Sequence, residues 1–337
     1  MQAIEILQPN KLIIKNCNEP ECKNQLKVKV TAASICGSDL KILSGEMEGI
    51  KYPLIAGHEW VGIVVDAPPE YQHFLGKKVV PDILYCCATC SYCKNEMPNL
   101  CNELSEPGLT LPGGFAEYVS LKPKNAYIVS DKVQDKEATL IEPLAVALYS
   151  LKRVNITHKD RVMIIGGGGI GQLIGQCTKL LNPENIILVD HHDFRLELGK
   201  STFANEIVNP KKVNVKEMFD VNQDKRPTKI FEVTGSPNGI KLSFNCAQKN
   251  AEIAIVGYSG DKKIQIRFSD IMVKHLSIKG ILSPTNTIQE AIKLVEDNKV
   301  NLSPLVTHTF KISQAHEAFE TAMNKKDRAL RVAFINN

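Results

Sequence analysis

The stretch RVMIIGGGGIGQLIGQCTKLL, residues 161–181, decides the fold. Residues 162–165 are apolar and read as a short buried strand. Gly166, Gly168 and Gly171 follow in G-x-G-x-x-G spacing, and an apolar stretch of helical length comes next. The first glycine permits a tight turn, the second lets backbone approach a pyrophosphate, and the third packs helix on strand. Glycines alone would be a weak signal; the strand before and helix after make it a dinucleotide-binding one. Working outward, NIILVD ends at Asp190, about 20 residues past the motif, where an acid binds ribose hydroxyls. KIFEVTG, AEIAIVG and LSIKG are further apolar strands, each separated by helix-compatible sequence. The pattern predicts an α/β unit with a doubly wound parallel sheet. Asp190 repels a 2′-phosphate and is followed by His191 and His192 rather than an arginine clamp, with Arg195 a turn later. NAD is therefore expected over NADP.

Composition bounds the rest. A chain of 337 residues exceeds the usual single core, so two domains are expected. Hydrophobic content of 43% and charged content of 23% are those of an ordinary globular protein. A net charge of +4 without a dense basic stripe argues against nucleic-acid binding. The N-terminal MQAIEILQPNKLIIKN lacks the architecture of a signal peptide. No run reaches the roughly 18 apolar residues of a membrane span. The expected location is the cytoplasm, where clustered thiols are metal ligands more often than disulfides.

Ten cysteines are present, and CATCSYCKNEMPNLC holds Cys87, Cys90, Cys93 and Cys101. Overlapping C-x2-C pairs supply thiolates from tight turns, and four such ligands close a tetrahedral zinc shell with no position for water. The spacing predicts a structural zinc; Cys86 is one thiol too many and reads as a free cysteine. The same loop carries Glu96, Glu103 and Glu106, unlike a nucleic-acid-binding zinc ribbon. Upstream, SICGSDL brings Cys36, Ser38 and Asp39, and GHEWVGIVV brings His58 and Glu59. Singly each has a bland reading: a small buried hydrophobe, a cap, a turn acid, a structural histidine. Together they offer zinc ligand types with a coordination position to spare. Glu142, in ATLIEPLAVALYSL, interrupts an apolar helix-like stretch. It is either a helix-start acid or a carboxylate held by a metal.

Taken together, YPLIAGHEWVG, GGFAEYVSL, IEPLAVAL, the glycine motif and LSPLVTHTFKISQAHEAFETA resemble the zinc-containing medium-chain dehydrogenases over essentially the whole chain. His58-Glu59 and Glu142-Pro143 are similar to the sorbitol, threonine and sugar-alcohol branch. The resemblance implies a GroES-like β-rich catalytic domain over residues 1–145, with a structural-zinc lobe at 86–106. A Rossmann domain over 146–283 and a return to the catalytic domain over 284–337 complete it, with substrate between the domains. It further implies a catalytic zinc on Cys36 and His58, with Glu59 or Glu142 as third ligand, directly or through water. Asp39 stands behind His58, and Ser38 takes the hydroxyl proton. Implied cofactor contacts are Ile170, Asp190, Arg195, Val256, Gly257, Tyr258, Ile281 and Leu282. One departure is Lys41, where many members place a relay histidine; a lysine of ordinary pKa shuttles protons poorly near neutrality.

The expected activity is zinc- and NAD-dependent oxidation of a polar secondary alcohol. A polyol, sugar alcohol or aminocyclitol such as 2-deoxy-scyllo-inosamine is the first reading, with L-threonine or a vicinal diol as the alternative. A catalytically inactive NAD-binding member would be expected to have lost a zinc ligand or the relay hydroxyl, and neither is missing. The resemblance also implies a homotetramer, with a dimer as second choice.

Overall fold

A computed structural model describes residues 1–220 and 223–336. The chain forms two compact units, Met1–Ala145 with Thr285–Asn337, and Val146–Pro284.

The first unit is built on a seven-stranded sheet. Its central strand, Leu26–Ser34, alternates buried Leu26, Val28 and Val30 with outward Lys27 and Lys29, the period-two signature of a half-buried strand. On one side it pairs antiparallel with Glu59–Asp66. On the other it pairs first with Tyr118–Leu121 and then with Arg331–Ile335. The register sets Ser34 opposite both Glu59 and Ala333. Arg331 lies two residues from Ala333 and therefore shares its face. Val306–Phe310 runs parallel to Arg331–Ile335, with helix Ala315–Asn324 between them in the chain. A smaller sheet orders Lys11–Asn16, Gln2–Gln8 and Leu54–Ile55. Trp60, Phe115, Phe319 and Phe334 are fully buried in the core, and the Phe115 ring meets Phe334 edge-on at 5.3 Å. The cysteine lobe is closed at its base by reciprocal backbone hydrogen bonds between Tyr85 and Ser105.

The second unit is a six-stranded parallel sheet. Its strands, in chain order, are Arg161–Ile165, Asn185–Val189, Glu206–Val208, Lys229–Glu232, Glu252–Ile255 and Ser277–Gly280. Their spatial order is 3-2-1-4-5-6. That is the order of dinucleotide-binding sheets, in which two mononucleotide-binding halves meet between strands 1 and 4. Helix Gly169–Leu180 follows the first strand at once. Gly166 sits at φ +110°, and a Cβ on Gly171 would lie 1.8 Å from the Gly166 carbonyl oxygen. Both positions therefore require glycine. The α/β class, the GroES-like sheet and the doubly wound parallel sheet are those expected from the sequence.

Candidate active site

Cys36 caps helix Gly37–Ser44, directly after the central strand ends. Asp39, fully buried in the first turn, accepts hydrogen bonds from the Cys36 amide at 2.8 Å and the Gly57 amide at 3.3 Å. One carboxylate thus ties the cysteine-bearing turn to the turn before His58. Gly57 has φ +93°, and a Cβ there would strike the Phe115 ring at 2.5 Å. The glycine is what turns His58 and Glu59 inward. His58 Nε2 lies 3.3 Å from Ser38 Oγ, while its buried Nδ1 has no hydrogen-bond partner among the described residues. Asp39 Oδ1 is 3.6 Å from Nδ1, so it acts on the ring by charge.

One ligand atom from each of Cys36, His58 and Glu59 lies within 4.8 Å of the others. A sulfur, an imidazole nitrogen and a carboxylate oxygen at that spacing fit a three-ligand zinc site with a position left open. The electrostatics also suit a cation. Burial alone would depress the His58 pKa, but the charges of Asp39 and Cys36 hold it well above the ordinary histidine range.

Glu59 is inaccessible and accepts bonds from Arg331 Nη1 at 2.9 and 2.8 Å, and from the Ser34 hydroxyl. A carboxylate offers about four acceptor positions, so these contacts leave one, on Oε1. Arg331 is itself buried and charged: burial works against the guanidinium, and Glu59 and Cys36 outweigh it. Sequence reading missed Arg331 and Ser34. A buried acid in EWVGIVV demands a cation, but among 41 Lys and Arg residues nothing local to RVAFI singles out its arginine.

Glu142, the second residue of helix Ile141–Val154, is buried but lies outside the 4.8 Å group. Burial pushes its carboxyl up to about 8, with His58 opposing the shift and Glu59 adding to it. It therefore feels the charges of the cluster. Thr287 Oγ1 donates to the Ala145 carbonyl at 2.8 Å and ties the start of the helix to the first unit. Lys41 is half-buried on the helix that Cys36 caps.

In the lobe, Sγ separations are 3.9 Å for Cys87–Cys93, 3.5 Å for Cys90–Cys93 and 4.0 Å for Cys90–Cys101. A tetrahedron with Zn–S bonds of ~2.3 Å has edges of ~3.8 Å, so the four thiols fit a zinc shell. All four are unbridged. Backbone amides of Thr89 and Cys90 point at Cys87, and those of Cys87 and Glu103 at Cys101. Thr89, by hydroxyl and amide, and then the Cys90 amide draw the Cys87 pKa down to about 6. Cys86 stays outside the four-thiol group.

In the second unit, Asp190 ends the second strand's run and accepts from the Gly167 amide at 2.7 Å and the His192 amide at 2.8 Å. Burial would raise its pKa, but Arg195 and these amides together hold it below the ordinary carboxylate value. Arg195 Nη1 is 3.6 Å from Asp190 Oδ2, and a Cβ on Gly168 would lie 3.9 Å from the same nitrogen. Gly166, Gly168, Ile170 and Gly171 thus gather with Asp190 and Arg195 at the carboxyl ends of strands 1 and 2. Val256, Gly257 and Tyr258 follow strand 5, and Ile281 and Leu282 follow strand 6. Tyr258 and Leu282 are exposed.

A sheet of this order and a cluster of zinc-type donors in one chain define a nucleotide-linked oxidoreductase. Residues 22–131 match the alcohol dehydrogenase GroES-like domain, and residues 169–297 match the zinc-binding dehydrogenase family. The starvation-sensing protein RspB of Escherichia coli K12 is 32% identical over 322 residues, 94% of each chain. The L-threonine 3-dehydrogenase of Marinomonas sp. MWYL1 is 27% identical over 90% of each. Among solved structures, an alcohol dehydrogenase from E. coli CFT073 complexed with NADH superposes with TM-score 0.93 at 29% identity, covering 100% of this chain and 99% of that one. A zinc-binding dehydrogenase from Sinorhizobium meliloti 1021 bound to NADP gives 0.93 at 26%, covering 99% of each. Galactitol-1-phosphate dehydrogenase from E. coli gives 0.90 at 26% over the full length of both. The chain belongs to the zinc-containing medium-chain alcohol dehydrogenases.

Proposed function

We propose that this alcohol dehydrogenase oxidises a secondary alcohol of a polyhydroxylated substrate (a polyol, sugar alcohol or aminocyclitol) with NAD as hydride acceptor. The observation that carries this reading is the pair of buried carboxylates, Glu59 and Glu142, beside Cys36 and His58. A site with so much buried polarity suits a substrate bearing several hydroxyls better than an apolar alcohol. Similarity to galactitol-1-phosphate dehydrogenase supports it. L-Threonine is the second reading, favoured by similarity to the threonine 3-dehydrogenases. A screen of NAD reduction over polyols, cyclitols, L-threonine and vicinal diols separates them.

Cys36, His58 and Glu59 would hold the catalytic zinc, and the four lobe cysteines a second, structural ion. When bound, the catalytic ion lowers the pKa of a coordinated hydroxyl and polarises a carbonyl in reverse. The protein supplies the rest. Asp39 fixes the turns that present Cys36 and His58. Arg331 and Ser34 hold Glu59 to one orientation. Ser38, with its hydroxyl at His58, accepts the substrate proton and passes it outward. Asp190 binds the adenosine ribose and disfavours a 2′-phosphate, which supports NAD; the NADP-bound relative makes NADP the alternative to test.

The proposed assembly is a homotetramer, with a dimer as the alternative. Strand Ser277–Gly280 ends the parallel sheet, with Phe268 76%, Met272 71% and Val273 61% exposed in the same unit. An apolar surface at an open sheet edge is what a second copy would cover. No helix among the described residues is long and apolar enough to cross a membrane. Ten unbridged cysteines suit the proposed cytoplasmic location.

A further inference from the structure

Glu232 is a fully buried acid with no part in the chemistry above. It ends the fourth strand, in register with Ile165 on one side and Ile255 on the other. Those residues immediately precede the glycine turn and the turn at 256–258, so Glu232 stands where the two halves of the sheet meet. Its Oε1 accepts from the Thr234 amide at 3.0 Å and from the Thr234 hydroxyl, and its Oε2 from the Gly235 amide at 3.1 Å. Its carbonyl accepts from the Val256 and Gly257 amides at 2.8 and 3.0 Å. One residue thereby organises two adjacent loops.

The loops are in close contact. A Cβ on Gly257 would lie 2.1 Å from the Gly235 nitrogen, and one on Gly235 would lie 2.3 Å from the Tyr258 oxygen. Any shift of residues 234–235 is therefore transmitted to 257–258. A buried carboxylate is costly unless its hydrogen bonds are made, and here two backbone donors take one oxygen each. No neutral isostere can serve both, because a glutamine would aim an amide at one of the two N–H groups.

We propose that Glu232 is a positioning residue for the nicotinamide half of the bound dinucleotide, acting through the 234–235 loop on the 256–258 turn. The adenosine half is held separately, by Asp190 at the end of strand 2. The proposal rests on the dinucleotide-binding reading of the second unit.

The test compares the affinity of wild-type and Glu232→Gln protein for the reduced dinucleotide and for 5′-AMP, which engages only the adenosine half. The dinucleotide used is whichever of NADH and NADPH the wild-type protein binds, so an error in the NAD reading shows in wild type alone. Glu232→Gln is expected to weaken the dinucleotide about tenfold, the effect of one mispaired buried hydrogen bond, and to leave 5′-AMP within about twofold. Amide exchange at Thr234, Gly235 and Gly257 should quicken in the cofactor-free protein. Thr234→Val, which leaves both backbone donors to Glu232 and removes the hydroxyl with its contacts to Glu232 and Ser236, should show the same selectivity at smaller size, and carries the test if the glutamine variant does not fold. Equal loss for both ligands, or unchanged dinucleotide binding, overturns the proposal.

Discussion

Arg331→Met isolates the buried ion pair behind the proposed zinc ligands. The guanidinium contacts both oxygens of Glu59 at 2.8–2.9 Å, and both side chains are shut off from water. Two such charges about 4 Å apart attract by about 4 kcal/mol at an effective dielectric of 20. Removing one partner of a buried pair typically costs ~3–5 kcal/mol, because the other charge is left uncompensated. Methionine fills much of the vacated volume, so the loss should reflect charge more than cavity. If Glu59 faces the catalytic zinc, the ion replaces part of the missing positive charge. The cost should then depend on the metal: the full ~3–5 kcal/mol in a Cys36→Ser background that lacks the ion, and about half or less with it present. Glu59→Gln should recover most of the loss when added to Arg331→Met. Urea unfolding of the four variants, with zinc content measured alongside, gives the cycle. An equal penalty in both backgrounds would refute the placement of Glu59 at the metal.

Other outcomes follow from the same geometry. Glu142→Ala should retain catalytic zinc while lowering kcat on the order of 10²-fold, as lost orienting groups do; wild-type turnover in zinc-loaded Glu142→Ala would return that residue to a helix cap. Cys90→Ser should lose the lobe zinc by elemental analysis and destabilise the fold, whereas Cys36→Ser should lose about one zinc and stay folded. Asp190→Gly should narrow the preference for NAD over NADP in kcat/KM; a wild-type enzyme that already prefers NADP contradicts the role given to Asp190. Burial raises the Asp82 carboxyl to about 6. An acid with a raised folded pKa contributes stability that is full below its unfolded pKa near 4 and lost as pH rises through 6. Asp82→Asn keeps the acceptor for the Leu84 amide and should flatten that decline, worth ~1–3 kcal/mol by pH 7 in thermal unfolding.

Much of the fold was legible because its determinants are local. The glycine motif needs only the strand before it and the helix after it, and Asp190 falls at a fixed distance along the chain. The cysteine lobe was legible for the same reason, since its four thiols lie within one loop. Ser34 and Arg331 were not, because their meeting with Glu59 depends on strand register across three strands, one of them near the C-terminus. Glu142 could be read only as an acid in apolar sequence. Whether it touches the metal turns on a few ångströms of helix placement, and the structure sets it outside the Cys36–His58–Glu59 group. Glu232 was hidden by its setting: in KIFEVTG it looks like a strand-end acid, and only the loops folded over it reveal the hydrogen bonds it accepts from them.

The central claim is NAD-linked oxidation of a polyhydroxylated alcohol at a zinc held by Cys36, His58 and Glu59. Its most direct test is NAD reduction by wild-type and Cys36→Ser protein across polyols, cyclitols, L-threonine and diols, with zinc content measured on both. The account predicts turnover of at least one polyol or cyclitol by wild type, and its loss in Cys36→Ser with the lobe zinc retained. Turnover that survives in Cys36→Ser, or a wild-type enzyme that oxidises only L-threonine, would contradict it.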